Sequence, residues 1–351
     1  MNNFKIGNKG IGTNDPCIIS FEPGGTFQNI DEAKEMIDFS SKAGADAIKF
    51  QTFLPGDADR IMGKKDILVE YSTPKGQSNE RVYDALKRRE LSENDWKELI
   101  HFSKSKNLLF ITAPYFVETV QFLDQVSVDA IKVSKGDINN VLLIDEIAKT
   151  KIPVILDGRE KFSDIEKAIS ICEENQNEKI LIMHCPSGYP AKNIDIHLRA
   201  LTSIQEKYSY PVGFADHSVG GKMNFAAVAL GAKMIEKTIT IDKSIDQVEH
   251  YMSLELDELK SFVTDLREIE EALGNPNIIL ESRVTENTRR SLCAKVDIKK
   301  NEKFSINSID FVRPGNLGIS VSEGFTVLNK RATTDIPKGT VLSSDMISDD
   351  K

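Results

Sequence analysis

The stretch MIEKTITI, residues 234–241, has the apolar and β-branched composition of a buried strand, yet it carries Glu236 and Lys237 side by side. A buried charge costs several kcal/mol unless it is paired, so this strand requires ion-pair partners. Lys237 and Lys132 are both candidates, with Glu236 as the natural partner. From the sequence alone, a structural ion pair and a functional site both remain open.

Seven further apolar runs precede this one, and the starts of the eight lie 22 to 32 residues apart except for one gap of 61. Amphipathic helical patterns lie between them, such as Ile30, Ala33 and Ile37. Near-continuous apolar strands that alternate with helices are typical of parallel strands covered on both faces. Eight such units predict an α/β fold, the (β/α)8 TIM barrel. The runs are CIISFE (17–22), AIKFQTF (47–53), LLFITAP (108–114), AIKVSKGD (130–137), PVILDGR (153–159), KILIMHC (179–185), PVGFAD (211–216) and MIEKTITI (234–241).

Two of the predicted helices begin with patterns typical of a capping box, Ser92 with Asp95 and Ser163 with Glu166. The gap of 61 residues contains an inserted loop, residues 54–90, on the second strand–helix connection. Because TIM-barrel active sites lie at the carboxyl ends of the strands, this loop is a candidate lid or substrate wall.

The character of the chain changes towards its carboxyl end. AKVDIKKNEKFSINSI (294–309) and ATTDIPKGTVLSSDMI (332–347) are related at an offset of 38 residues. Two copies of a small β unit predict a compact second domain. Taken alone, such a module would serve solubility or dimerisation. We therefore predict a barrel domain over 1–280, a linker over 281–287 and a β-rich domain over 288–351.

The composition excludes several classes of protein. A net charge of −9 and a pI of about 5.3 argue against a nucleic-acid surface. The four cysteines lack CxxC spacing, which indicates reduced thiols in a cytoplasmic protein and neither a disulfide framework nor a zinc site. The amino terminus lacks an apolar core of signal-peptide length, and no run reaches the roughly 18 apolar residues of a membrane span.

Polar side chains occur at the ends of all eight predicted strands, where packing alone does not explain them. Several lysines and an arginine among them suggest an anionic ligand, most simply a phosphate or carboxylate. His184 is as readily a hydrogen-bonded core residue as a functional one, whereas His217 is better placed for chemistry. The set comprises Glu22, Lys49, Gln51, Thr112, Lys132, Ser134, Lys135, Asp137, Asp157, Arg159, His184, Ser187, Tyr189, Asp216, His217, Glu236, Lys237 and Thr238.

Six stretches occur in this order along the chain: AGADAIKFQTF, IKVSKGDINNVLLIDEIAKTKIPVIL, MHCPSGYP, VGFADHSVGG, ALGAKMIEKTIT and VRPGNLGIS. Together they resemble the N-acylneuraminate (sialic acid) synthase family, which includes the legionaminic and pseudaminic acid synthases, over almost the whole chain. The resemblance implies a TIM barrel joined to an antifreeze-protein-like (SAF) domain. It also implies condensation of phosphoenolpyruvate with the open-chain aldehyde of an N-acyl hexosamine, which gives a nine-carbon α-keto acid and phosphate. A divalent metal (Mn or Mg) and a swapped homodimer are further implications.

The resemblance assigns roles to individual residues. It places Glu22 near the metal, Lys132 on the phosphoenolpyruvate, His217 on the metal, and Arg313 in the site of the partner subunit. The catalytic residues expected on this basis, together with the strand-end pattern, are Glu22, Lys49, Lys132, His217 and Glu236. The expected substrate-binding residues are Gln51, Lys135, Asp137, Arg159, Ser187, Tyr189, Asp216, Lys237, Glu249 and Arg313.

The chain departs from the family pattern at several of these places. EPGGTF stands where an Asn-His pair is usual, and Thr238 stands where the second metal-binding histidine belongs. Lys135, Asp157 and Ala215 replace serines that hold phosphate. One neutral imidazole plus carboxylates makes a weak divalent site. The cations Lys135 and Arg159, in contrast, can each bind an anion more strongly than a hydroxyl group does.

Three hypotheses follow. The first, which we favour, is a synthase whose anion site is rebuilt around Lys49, Lys132, Lys135 and Arg159. The second is a metal-independent lyase or aldolase that uses Lys132, Lys135 or Lys237 as a Schiff-base amine. The third is a catalytically silent paralogue that binds a sugar or partners an active synthase.

Overall fold

The computed structural model describes residues 3–158, 161–274, 288–313 and 317–348. The chain divides into two compact units, Met1–Leu273 and Gly274–Lys351, which are described separately. The predicted linker 281–287 lies outside the described residues, so its bounds stay a prediction.

The described strands and helices follow in chain order. The strands are β1 (Phe4–Ile6), β2 (Lys9–Ile11), β3 (Ile18–Glu22), β4 (Ala47–Gln51), β5 (Leu68–Thr73), β6 (Gly76–Arg81), β7 (Leu109–Ala113), β8 (Ala130–Val133), β9 (Val154–Asp157), β10 (Ile180–His184), β11 (Val212–Asp216), β12 (Met234–Thr240), β13 (Leu254–Glu255), β14 (Ser291–Ala294) and β15 (Ile309–Val312). The α-helices are α1 (Ile30–Ala43), α2 (Asp57–Ile61), α3 (Val82–Lys87), α4 (Glu93–Ser105), α5 (Val117–Gln125), α6 (Val141–Lys149), α7 (Phe162–Glu174), α8 (Asn193–Ile196), α9 (Ala200–Tyr208), α10 (Lys222–Ala229), α11 (Leu259–Leu273) and α12 (Gly324–Val327).

The first unit is a closed barrel of eight parallel strands, β3, β4 and β7–β12. Closure comes from β12, which pairs with both β11 and β3 and places Thr238 opposite Glu22. The outward-facing side chains of the strands pack against the helices in one large core that includes Phe50, Phe110 and Trp96. The predicted TIM barrel is confirmed, because uninterrupted apolar strands need cover on both faces.

The amino-terminal end of the barrel is covered by the β1–β2 hairpin. Ile6 and Ile11 of this hairpin are buried in an inner cluster with Ile18, Leu109 and Leu181 from the barrel strands. Water and ligand therefore reach the barrel interior from the opposite end, where the strands finish.

One of the two predicted capping boxes is present. Ser92 Oγ accepts from Asp95 N at 3.2 Å, and Ser92 N donates to Asp95 Oδ2 at 3.1 Å, at the start of α4. The box predicted at Ser163 with Glu166 is wrong. Helix α7 already begins at Phe162 with Lys161 as its N-cap, so Ser163 lies inside the first turn and cannot cap it.

The inserted loop, residues 54–90, contains the short helix α2, an antiparallel hairpin and the short helix α3. Strand β5 pairs with β6, with Leu68 opposite Arg81 and Thr73 opposite Gly76, and α3 follows directly. Leu91 N then donates to Phe53 O at 3.1 Å, which returns the insertion to the carboxyl end of β4. The insertion therefore stands beside the open end of the barrel.

The second unit contains both sequence repeats. Ile298 and Ile336, which match at the offset of 38, exchange backbone hydrogen bonds of 2.9 and 2.8 Å. Their side chains are buried together with Leu292, Phe304 and Leu342 in a separate core. The equivalent repeat positions thus pair across one small β fold, with β14 and β15 as its antiparallel strands.

In the described part of the chain, no helix has both the length and the apolar character that crossing a membrane requires.

Candidate active site

A cavity of about 460 Å³ opens at the carboxyl ends of the barrel strands. Polar side chains from the strand ends form its base, and the insertion supplies an apolar side. The strand ends contribute Glu22, Lys49, Gln51, Lys132, Asp157, Cys185, His217 and Glu236. The later connections contribute Tyr115, Ser134, Lys135, Ser187, Tyr189, Val248 and Glu249, and the insertion contributes Val69, Val82, Ala85, Leu86 and Arg89.

Four alternating charges cross the base of the cavity. Lys132 Nζ lies 2.5 Å from Glu236 Oε1, and Lys49 Nζ lies 3.8 Å from the same oxygen. Lys49 also donates to Glu22 Oε1. All four residues are buried, at 5% exposure or less. The four side chains point into the barrel because side chains alternate in direction along a strand. Lys49, for example, faces inward, while its neighbour Phe50 packs against the helices.

These charges shift the pKa values of one another. Burial opposes ionisation of Glu22, but the charges of Lys49 and Lys132 outweigh it and hold the pKa of Glu22 well below its usual range. Burial also opposes the charge of Lys132, and the carboxylate of Glu236 more than offsets this, so the pKa of Lys132 is raised. Burial raises the pKa of Glu236 in spite of its lysine neighbours. The lysines therefore stay cationic, and Glu236 is suited to proton transfer.

A second string of contacts extends from Glu22 towards the insertion. Gln51 Nε2 donates to Glu22 Oε1 at 3.2 Å, and Arg89 Nη1 donates to Gln51 Oε1 at 2.8 Å. Arg89 Nη2 lies 3.5 Å from Glu249 Oε1, and Glu249 Oε2 accepts from Gly25 N at 2.8 Å. One connected polar network therefore extends from Lys132 through Arg89 to Glu249.

Sequence reasoning missed Arg89. The residue sits in the basic run LKRREL, whose charge pattern is typical of a solvated surface. The signal that would have found it is positional, because the residue precedes the point where the insertion rejoins the end of a barrel strand. Sequence reasoning also missed Tyr115, which lies just after β7 and whose hydroxyl donates to Gln51 Oε1 at 3.1 Å.

The predicted residues that follow the fourth, sixth and seventh barrel strands also line the cavity. Lys135 Nζ lies 3.5 Å from Ser187 Oγ at the exposed rim. The ring of Tyr189 stacks on His217 with centroids 5.2 Å apart. These contacts bring a cation, two hydroxyl groups and an imidazole to one side of the cavity.

Other predicted residues are not brought to the cavity. The possible Glu236–Lys237 ion pair is wrong, because neighbouring side chains of a strand point to opposite faces. Lys237 instead lies 3.0 Å from Asp216 Oδ2, which also accepts from Asn224 of α10, so both charges lie on the helix side. Neither lines the cavity.

Three more residues were predicted to bind substrate, and the predictions for two of them, Arg159 and Arg313, stay untested. Asp137 does not line it and accepts from Asn140 Nδ2 at 3.0 Å. Arg159 lies outside the described residues. Arg313 is an exposed residue of the second unit. His184, which the sequence left open as either a core or a functional residue, is buried, and its Nε2 lies 2.6 Å from Ile196 O.

The donor set does not fit the expected divalent metal. Within the residues that the structure describes, no three His, Cys, Asp or Glu side chains lie close enough to share an ion. His217 lines the cavity, but Thr238 replaces the second expected imidazole. The carboxylates of Glu22 and Glu249 are already engaged by Lys49 and Arg89.

The fold and the cavity define a TIM-barrel protein with charged side chains gathered at the carboxyl ends of its strands. A model of the NeuB family matches residues 36–277, and a SAF domain model matches residues 289–348. The chain belongs to the NeuB family, and it is an enzyme of the sialic, legionaminic and pseudaminic acid synthase kind. This confirms the resemblance seen in the sequence.

Individual relatives agree with this assignment. The N,N'-diacetyllegionaminic acid synthase of Campylobacter jejuni is 34% identical over 86% of this chain and 91% of its own length. The pseudaminic acid synthase of the same organism is 32% identical over 90% of this chain and 91% of its own length. The solved structure of the N-acetylneuraminic acid synthetase of Leptospira borgpetersenii has a TM-score of 0.70 at 31% identity, covering 81% of this chain and 94% of that one.

Proposed function

We propose that the protein condenses phosphoenolpyruvate with the open-chain aldehyde of an N-acyl hexosamine-type sugar, for the biosynthesis of a surface glycan. The products are a nine-carbon α-keto acid and phosphate. The observation that carries the proposal is the pair of buried, cationic lysines, Lys49 and Lys132, in a cavity of about 460 Å³ at the strand ends. Buried cations held by carboxylates are suited to a small dianion that displaces water.

The phosphoenolpyruvate is bound at the Lys132 end of the network. Lys132 and Lys49 neutralise its carboxylate or phosphate, and Lys135 at the rim reaches the remaining anionic group. Ser187 adds a hydroxyl beside Lys135. The sugar then occupies the other end, between Gln51, Tyr189 and Glu249.

The reaction joins C3 of phosphoenolpyruvate to the aldehyde carbon. The C2–C3 π electrons form the new C–C bond, and the aldehyde oxygen becomes a hydroxyl group. Water adds to C2 to give a tetrahedral, phosphate-bearing adduct, which loses phosphate by cleavage of the C–O bond and leaves the keto group. The water supplies the oxygen at C2, one proton for the new hydroxyl group and one for the phosphate. Glu236, with its raised pKa, is placed to relay these protons.

The Schiff-base alternative has less support. A nucleophilic lysine must lose its proton, but Glu236 holds the pKa of Lys132 above its usual value. Lys237 is enclosed on the helix side of the barrel, and Lys135 lies exposed at the rim. Borohydride trapping with pyruvate tests this alternative, since a labelled lysine would favour it.

The proposal includes a homodimer in which Arg313 of one subunit completes the site of the other. It also places the enzyme in the cytoplasm, where its thiols would stay reduced; all four cysteines are buried, and Cys17, Cys172 and Cys293 carry free thiols. Sedimentation tests the homodimer. Mixing an Arg313→Ala variant with a Lys132→Met variant tests the shared site, because the mixture should regain partial activity if each subunit completes the site of the other.

Phosphate release tests the proposed function. The purified protein is mixed with phosphoenolpyruvate and a panel of N-acyl hexosamines, with manganese or with EDTA, and phosphate is measured against time. Release that depends on a sugar supports the synthase. Absence of release over the whole panel contradicts it and favours the silent, sugar-binding paralogue.

A further inference from the structure

Arg89 is a cation in the cavity that the steps above do not use. It is 5% exposed and is held where the insertion rejoins the end of β4. Its guanidinium lies against the backbone of Gly25, where a Cβ atom would clash with Nη2 and Cζ. Glycine at that position therefore makes room for the guanidinium.

Arg89 retains hydrogen-bonding capacity. A guanidinium carries five N–H groups. Within the described part of the chain, only Nη1 makes a hydrogen bond, to Gln51, while Nη2 faces Glu249 at 3.5 Å. Nε is buried and has no partner among the described residues. Since buried donors are normally satisfied, this capacity indicates an acceptor that arrives with a ligand.

The position of Arg89 identifies that acceptor. The network orders its members as Lys132, Glu236, Lys49, Glu22, Gln51, Arg89 and Glu249. Phosphoenolpyruvate occupies the Lys132 end, so the group nearest Arg89 belongs to the sugar. Lys49 and Lys132 are already paired with carboxylates, whereas Arg89 has donors left over.

We infer that Arg89 donates hydrogen bonds to the carbonyl oxygen of the acceptor aldehyde and stabilises the negative charge that develops there during C–C bond formation. The inference rests on the proposed function. Arg89 transfers no proton, because the oxygen receives its proton ultimately from the water that adds to C2. The donor set does not fit a metal in this cavity, and the guanidinium provides positive charge from the chain itself.

The test uses the full-length protein, phosphoenolpyruvate and the acceptor that releases phosphate fastest, with EDTA present. Arg89→Ala should lower kcat about 100-fold, the typical effect of removing one oxyanion donor. The KM for phosphoenolpyruvate should change less than about threefold, because that substrate binds at the other end. Added guanidinium chloride, at millimolar concentration, should raise the kcat of Arg89→Ala at least about tenfold. A purely structural arginine would not allow this rescue.

Arg81→Ala is the matched control, because Arg81 belongs to the same insertion and its side chain is 56% exposed. It should keep the wild-type kcat. The inference is overturned if Arg89→Ala keeps its kcat, if guanidinium fails to restore the folded variant, or if EDTA abolishes wild-type turnover and manganese restores it.

Two further outcomes are decisive. If circular dichroism shows that Arg89→Ala is unfolded, Arg89→Lys decides: a lowered kcat with unchanged KM for phosphoenolpyruvate supports the inference, and an unchanged kcat overturns it. A wild-type protein that is inactive over the whole panel refutes the proposed function and this inference together. An active wild type with an equally active Arg89→Ala refutes this inference alone.

Discussion

Lys132 and Glu236 depend on each other because both are almost fully removed from water. Their side chains are 4% and 2% exposed, and Glu236 Oε2 has no hydrogen-bond partner among the described residues. The attraction between the two offsets the loss of hydration only while both are charged. Either residue alone would be a buried charge with an incomplete set of partners.

Lys132→Met should therefore lower the free energy of unfolding by about 3 kcal/mol, because it leaves Glu236 with Lys49 alone. The double variant Lys132→Met/Glu236→Gln should lose less than this, because it leaves no unpaired charge. Urea unfolding measures both. Lys149→Met, from an exposed pair with Asp145, is the control and should cost less than about 1 kcal/mol. A double variant at least as unstable as Lys132→Met alone would contradict this.

His250 makes stability depend on pH in the acid range. Burial lowers its pKa from the ordinary 6.5 to about 4, and its Nδ1 lies 2.8 Å from the Thr240 hydroxyl. As the pH falls, the unfolded chain takes up the proton first. The contribution of this residue is therefore complete above pH 6.5 and is lost as the pH falls towards 4, by roughly 3 kcal/mol in total.

His250→Gln should flatten the stability profile between pH 6.5 and 4 relative to the wild type. Urea unfolding at a series of pH values measures the slope. His101→Gln, at an exposed position of α4, is the control and should leave the slope as in the wild type. Equal slopes for the wild type and His250→Gln would show that this imidazole is protonated in the folded protein.

At the level of elements, the β5–β6 hairpin and α3 give the cavity its apolar side. Val69 and Val82 line it, and Tyr71 anchors the hairpin through a 3.0 Å hydrogen bond to Asp246 Oδ1. The polar network occupies the base, so we propose that the apolar side contacts the apolar groups of the sugar. On this proposal, selection of the sugar by its acyl group depends on the insertion.

Val69→Ser/Val82→Ser should raise the KM for the sugar about thirtyfold, because each change removes roughly 1 kcal/mol of apolar contact. The KM for phosphoenolpyruvate should stay the same. Lys75→Ala at the hairpin turn is the control, because this residue is exposed. An unchanged KM for the sugar, or an equal rise in KM for both substrates, would show that the apolar side of the cavity does not contact the sugar.

The sequence predicted elements better than it predicted contacts between them. The barrel strands were found because parallel strands must be apolar along their whole length, and the repeat in the second unit was found because matched isoleucines share one core. Strand alternation turns Lys237 away from Glu236, although the sequence analysis expected Lys237 to bind substrate. Its partner Asp216 lies 21 residues away and required the fold. Arg89 lies in a run of surface-like charges that only the return of the insertion buries.

At the level of the whole molecule, the β1–β2 hairpin covers the amino-terminal end of the barrel, and the cavity opens at the carboxyl ends of the strands. The predicted residues Glu22, Lys49, Lys132, His217 and Glu236 all meet there. Their assembly was predictable because every strand ends at the same rim. Their pairing was predictable only in part. Glu236 was the expected partner of Lys132 or Lys237, and the distances across the barrel select Lys132.

The central claim is that this cavity joins phosphoenolpyruvate to an aldehyde by cleavage of the C–O bond. The most direct measurement uses phosphoenolpyruvate labelled with ¹⁸O at the bridging oxygen, together with an active N-acyl hexosamine, and mass analysis of both products. We expect the label in the released phosphate and an unlabelled nine-carbon keto acid. Label retained in the keto acid or in pyruvate, with unlabelled phosphate, would mean P–O cleavage and would contradict the proposed reaction.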